Sequence, residues 1–208
     1  MHKVIQPKAL YFGTPIVLIS SLNEDGTTNL APMSSAWWLG QTCMLGMSMF
    51  SKTVENLKRT LECVLNLPDP SLVQNVNSLA LLTGKNPVPD HKKMMGYTYE
   101  PSKFDIAGLT PIQSHVVTPL RVLECPVHLE GKVEKISKIT DSEPNVVSIA
   151  VRIVKVHMKE DLLVPGTRNY IDTDKWSLLI MNFCEYYGLS GKLQKSTLAE
   201  AWEPVLNS

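Results

Sequence analysis

Two glycine-rich fingerprints that cradle nucleotide phosphates, G-x-G-x-x-G and G-x-x-x-x-G-K-[ST], are both missing from the chain. That excludes the dinucleotide-fold and P-loop routes to a phosphate site. Net charge is missing too: twenty Lys and Arg offset twenty Asp and Glu. Without a basic patch interleaved with aromatics, a nucleic-acid partner is not expected. No apolar run reaches the length of a membrane span, and the first ten residues, MHKVIQPKAL, hold no apolar signal core. No membrane partner and a cytoplasmic address are therefore expected. The cysteines number only four, at 43, 63, 125 and 184, with no C-x-x-C pair and no His at ligand spacing. Metal ligation is not expected. Three sit in apolar runs (TCML, ECVL and NFCEY, thus Cys43, Cys63 and Cys184), so reduced, buried thiols are expected rather than disulfides. No Ser-His-Asp or Cys-His order supports a hydrolase.

What is present is an ordinary globular balance, 44% apolar and 19% charged, in 208 residues. A chain of this length buries about 70% of its unfolded surface, as one large domain or two small ones. Pro15 to Leu22, PIVLISSL, reads as a buried strand, and Asp25-Gly26 as the hairpin turn after it. The returning run, TTNLAPMSSAWWL, contains Pro32, which cannot donate to a ladder, so it belongs at an edge or a bulge. Thr42 to Met49 and Cys63 to Leu67 read as further strands. Between them, Val54, Leu57 and Leu61 give an amphipathic helix, and a second follows Pro70 with Gly84 as its end. Residues 85–103 carry three prolines and no long period; a lid-like connection with a short helix near Asp90 to Met95 is expected. Val116 to Glu124, Val127 to Ile136 and Ser148 to His157 complete a set of hairpin-linked strands, followed by a docked tail over 170–208. This order predicts a mainly β, antiparallel barrel with peripheral helices.

Two polar clusters carry the chemistry. Ser51-Lys52-Thr53 opens the first helix, but neither Val54 nor Asn56 is the Glu or Gln that a capping box needs. A plain N-cap remains, and so does an anion site built from helix N–H groups, two hydroxyls and an ammonium. Asn29 to Ser35, NLAPMSS, is either an edge strand with a bulge or a strand whose freed groups pair with a flat heterocycle. Met33, Met44, Met47 and Met49 fall on strands and read as core. Trp37-Trp38 places one indole on each face of a strand. Asp90-His91-Lys92-Lys93 reads as a solvated patch, from which His91 or Lys92 would meet an anionic ligand if the segment were a lid. His115, His128 and His157 read as isolated, structural residues on strands.

Taken in order, the hairpin, the N-x-A-P-x-S strand, the apolar third strand and S-x-T-x-x-N at a helix start resemble the flavin reductase-like, FMN-binding split-barrel family. Lys103-Phe-Asp-Ile-Ala-Gly-Leu109, Pro119 to Glu130 and Ile149 to Leu163 are similar to its later segments. The resemblance covers roughly residues 10 to 190. It implies one domain over 1–208 with the fold of a six-stranded antiparallel split barrel. It also implies an NAD(P)H-dependent flavin reductase holding FMN, with FAD as the alternative flavin, or a non-catalytic FMN-binding electron carrier. Carried over by position, Asn29, Ala31, Pro32, Met33, Ser34 and Ser35 lie along the flavin ring. Met47, Ser48 and Met49 run beneath the ribityl chain, and Ser51, Lys52, Thr53 and Asn56 receive the phosphate. Lys103 and Phe104 reach a partner's flavin in a homodimer, NADH or NADPH is the reductant, and an oxygenase or other acceptor takes the electrons. The chain departs from the family's pattern at Lys52, where an Arg is common, at Leu39 to Thr42, where others carry a Pro pair, and at Asn182-Phe183, where others carry Gly-Gly.

Overall fold

The computed structural model describes residues 1–7, 10–194 and 196; the end of the expected tail, 197–208, lies outside them. The main sheet has seven strands: β1 Val17–Leu22, β2 Thr28–Met33, β3 Ala36–Leu39, β4 Thr42–Ser48, β5 Glu62–Leu67, β6 Val127–Lys138 and β7 Val146–Met158. They run in the order β2-β1-β5-β6-β7-β4-β3, each neighbour antiparallel. The expected mainly β antiparallel architecture is observed, with seven strands in place of six and a barrel that does not close. Its two edges, β2 and β3, are consecutive in the chain and joined only by Ser34-Ser35.

Among the described residues, four α-helices lie outside the sheet: α1 Lys52–Thr60, α2 Val73–Ser78, α3 Asp90–Met94 and α4 Lys103–Ala107. Among the described residues none is long and apolar enough to cross a membrane. α1 starts with the plain cap, Ser51 Oγ accepting the Val54 N–H at 3.2 Å, and ends at Leu61 in the left-handed region. Val54 and Leu57 seat it on a core that includes Ile19, Leu45, Leu65 and Ile149. A second core, with Leu18, Leu30, Leu79, Phe104 and Leu179, lies on the opposite face, under α2 and α4. β1 and the residue before it serve both: Val17 and Ile19 face the first core and Ile16 and Leu18 the second, which is why Ile16 to Ile19 are all apolar.

The expected strand over Val116 to Glu124 is not formed; only Arg121–Val122 pairs, with Pro111–Ile112. Side chains take the place of a ladder there. The fully buried Glu130 carboxylate accepts the N–H groups of His115, Val116 and Val117 at 2.8, 2.7 and 3.1 Å. Glu62 accepts the Thr118 N–H at 2.9 Å, and Asn66 Oδ1 accepts that of Val122 at 2.9 Å. Three successive donors aimed at one carboxylate cannot also point along a strand edge.

The histidines are not isolated. His157 Nε2 stands 2.6 Å from Glu130, and its ring meets that of His115 edge-on at 4.6 Å. Cys43, Cys63 and Cys125 are the buried thiols; Cys184 is exposed at a turn, and no cysteine is bonded to another. Burial pushes the Cys43 thiol up to about 12. Trp37 is exposed, whereas Trp38 packs on the first core.

Burial raises the Glu130 pKa, but the N–H groups of His115, Val116 and Val117 and the His157 contact more than offset it and hold the carboxyl below the usual range. The group therefore stabilises the fold at neutral pH, and that contribution is lost as pH falls through its lowered value. Glu130→Ala should cost about 3–5 kcal/mol in urea unfolding at neutral pH, because it strands the buried Val117 N–H and the partly buried N–H groups of His115 and Val116 and removes the partner of His157. A cost under about 1 kcal/mol would contradict this role.

Candidate functional site

The groove lies where edge strand β2, the start of α1, the end of α2 and the Lys103 end of α4 meet. β2 pairs with β1 on one side only. Asn29, Ala31 and Met33 alternate along it toward a 130 Å³ cavity, which is also lined by Pro32, Ser51, Lys52, Thr53 and Lys103. A second cavity of 270 Å³ continues it through Pro32, Met33, Ala80 and Tyr97, and adds Ser34, Ile16, Val76, Met181 and Tyr186. One end is polar and cationic, and the other is apolar with two tyrosines.

At the polar end, Lys103 is almost fully buried, and its Nζ donates to Asn29 Oδ1 at 3.0 Å. No carboxylate pairs with it among the described residues. Burial, and then the nearby charge of Lys92, depress its pKa to about 8, against a small opposing pull from Glu100. Asn29 is buried as well, and its Nδ2 has no partner. A buried cation with one neutral acceptor, beside an orphaned amide donor, is a costly arrangement that an anion or a carbonyl would complete. Gly84 permits it: a Cβ there would stand 2.6 Å from Asn29 Oδ1 and 3.0 Å from Lys52 Cγ.

Lys52 is placed differently. Its Nζ lies 2.6 Å from Glu24 and 3.8 Å from Glu55, so its charge is largely matched within the protein. The hydroxyl of the buried Thr53 makes no hydrogen bond among the described residues, and the first N–H groups of α1 lie ahead of any intrahelical acceptor. Lys92, half-buried on α3, has its Nζ 5.1 Å from the Tyr97 ring centre. Burial lowers its pKa, with the charge of Lys85 adding to the effect.

Of the residues expected at a ligand, nine therefore line the two cavities: Asn29, Ala31, Pro32, Met33, Ser34, Ser51, Lys52, Thr53 and Lys103. Six line neither. The Ser35 carbonyl accepts the Gly46 N–H, Met47 is core, and Ser48 Oγ accepts the Phe50 N–H. Met49 packs on the core, and Phe104 belongs to the second core. Asn56 is fully buried and donates to Ser21 Oγ at 3.1 Å and Asn23 Oδ1 at 2.9 Å. Lys103 lines the cavity of its own chain. The lining residues that no sequence pattern marks as part of a site include Gly84, Tyr97, and the distant Met181 and Tyr186.

The flavin reductase like domain, as a family, matches residues 9–174. The chain belongs to the flavin reductase-like family. A Bacillus subtilis (strain 168) relative, "Uncharacterized protein YdfE", is 41% identical over 198 residues, covering 95% of this chain and 94% of the relative. Flavoredoxin of Desulfovibrio vulgaris (Miyazaki F) superposes with a TM-score of 0.78 at 19% identity, covering 96% and 100% of the two chains. Nitrilotriacetate monooxygenase component B from Bacillus cereus gives 0.70 at 20% identity, covering 88% of each. At these identities the two structures share the fold.

The cost of burying Lys103 can be read directly. Its folded pKa lies below its unfolded value near 10.4, so the unfolded chain holds the extra proton between the two. The stability of the wild type relative to Lys103→Met should therefore rise between about pH 8 and 10, measured by chemical unfolding of both proteins. At neutral pH, Lys103→Met should be as stable as the wild type or more so. A flat difference across that range, or a marked loss at neutral pH, would make Lys103 a structural residue.

Proposed function

We propose that the groove holds FMN and that this flavin reductase-like protein is an NAD(P)H-dependent oxidoreductase. The observation that carries this reading is the buried Lys103–Asn29 pair, with its unmatched charge and orphaned amide, at one end of a groove whose other end is apolar. FMN has the same polarity, an anionic phosphate at one end and a flat ring at the other. Lys103 supplies the buried positive charge, and the Thr53 hydroxyl and the first N–H groups of α1 supply neutral donors. Ser51 Oγ already accepts the Val54 N–H, so its own hydrogen is free to donate. The backbone of Ala31 to Ser34 and the rings of Tyr97 and Tyr186 border the flat end and limit water there. Burial raises the Tyr186 pKa, keeping the hydroxyl a donor at neutral pH.

Bound flavin supplies the hydride and electron chemistry, which explains why no side-chain acid–base constellation is needed. Electrons then pass to an oxygenase or another acceptor. A homodimer goes with this reading: Trp37 and Leu39 are 56% and 76% exposed on one face of edge strand β3, apolar surface that a second copy would cover. The likeness to a flavoredoxin favours a second reading, an FMN-binding electron carrier with little NAD(P)H oxidation of its own.

Purified protein should bind FMN saturably and turn yellow, and anaerobic NADH or NADPH should bleach the visible flavin band fast enough to support turnover. Bleaching too slow for turnover would select the carrier, and failure to take up FMN would overturn both readings. Because the phosphate prefers protonated Lys103, FMN affinity should fall as pH rises past about 8. Affinity unchanged up to pH 10 would remove Lys103 from the phosphate.

A further inference from the structure

Beyond the polar end of the groove lies a third cavity of 760 Å³, which shares Lys52 and Gly84 with the first. Its walls come from the β1–β2 turn, the first turn of α1, and residues 84–99 leading into and past α3. A ligand extended past its phosphate would enter this space. The volume lies within the range of ordinary ligand pockets, so size alone would not keep out a nucleoside.

The charges differ from those at Lys103. Every lysine on these walls already faces a carboxylate: Lys52 lies on Glu24 and Glu55, Lys85 on Glu55, and Lys93 on Asp90 at 3.3 Å. Among the described residues Asp25 accepts hydrogen bonds from the N–H and hydroxyl of Thr27 alone, at 3.0 and 2.6 Å, and forms no ion pair. Four carboxylates (Glu24, Asp25, Glu55, Asp90) thus face three ammonium groups (Lys52, Lys85, Lys93). Hydrogen bonds from Lys52 to Glu24 and from Thr27 to Asp25 hold both carboxyls below their ordinary range, so both are ionised at neutral pH. The first cavity offers an unmatched cation, and the one beyond it has none left to offer.

We infer that Glu24 and Asp25 make the site select a flavin that ends in one phosphate, FMN, over one continued by a second phosphate and a nucleoside, FAD. The inference rests on the FMN reading above. A second phosphate leaving the Lys103 end would cross between Lys52 and Gly84. It would then either break the Lys52–Glu24 pair or sit against unmatched carboxylates. The discrimination is electrostatic, so neutral isosteres should remove it and salt should screen it.

The test is calorimetric titration of the full chain with FMN and with FAD. The proteins are the wild type, Glu24→Gln, and the Glu24→Gln/Asp25→Asn double variant, at about 0.05 and 0.5 M NaCl. The wild type should prefer FMN by roughly tenfold or more at low salt. The double variant should narrow that ratio at least about fivefold, through tighter FAD binding, and high salt should narrow it in the wild type. Equal wild-type affinity for the two flavins would overturn the inference. So would an unchanged ratio in the double variant, including the case in which freeing Lys52 tightens both flavins alike. A preference that ignores salt would also overturn it. Each of these results leaves FMN binding intact, whereas a wild type that binds neither flavin overturns the FMN reading and the inference together.

Discussion

A lysine ammonium buried against a single amide carbonyl joins helix α4 to edge strand β2, and the groove takes its form around that contact. Burying a charge without a counterion is among the least favourable arrangements a protein can keep. Here it is kept beside an amide donor with no partner of its own. The neighbouring backbone makes room for it, because Gly84 has no Cβ to collide with Asn29. The same surroundings show why Lys103 rather than Lys52 is the free cation: Glu24 and Glu55 have already taken Lys52.

Side-chain acceptors do a similar service elsewhere. Glu130, Glu62 and Asn66 together take the N–H groups of residues 115–118 and 122, and so fasten a loop that carries little ladder pairing of its own. This loop leads into the long β6–β7 hairpin, which supplies the middle of the sheet. Asn66 also donates to the Leu18 carbonyl and to Ser20, tying the loop to β1 and thus to the strand beside the groove.

Strands with strong local signals were legible in the sequence. PIVLISSL, the Asp25-Gly26 turn and the Pro32 edge all rest on local backbone chemistry, and all are found. Val116 to Glu124 misled because its branched apolar residues suit a strand, while its hydrogen bonds go to Glu130 and Glu62, residues distant in sequence. The burial of Cys125 rather than Cys184 was hidden for the same reason, since it depends on the second core and not on neighbours in the chain. Within the groove, Asn29 to Ser34 and Ser51 to Thr53 could be picked out because a proline and a helix start mark them. Asn56 shares their spacing, yet it faces Ser21 and Asn23, since helix geometry turns its side chain to the β1 side. Met181 and Tyr186 come from a short hairpin more than a hundred residues away, and no local pattern announces them.

The central claim is that the Lys103 end of the groove receives a phosphate. It is tested most directly by comparing FMN with riboflavin, which has the same ring and lacks the phosphate. The wild type should bind FMN at least about tenfold more tightly than riboflavin, and Lys103→Met should lose most of that advantage while leaving riboflavin affinity nearly unchanged. Riboflavin bound as tightly as FMN, or a variant that weakens both equally, would contradict the account.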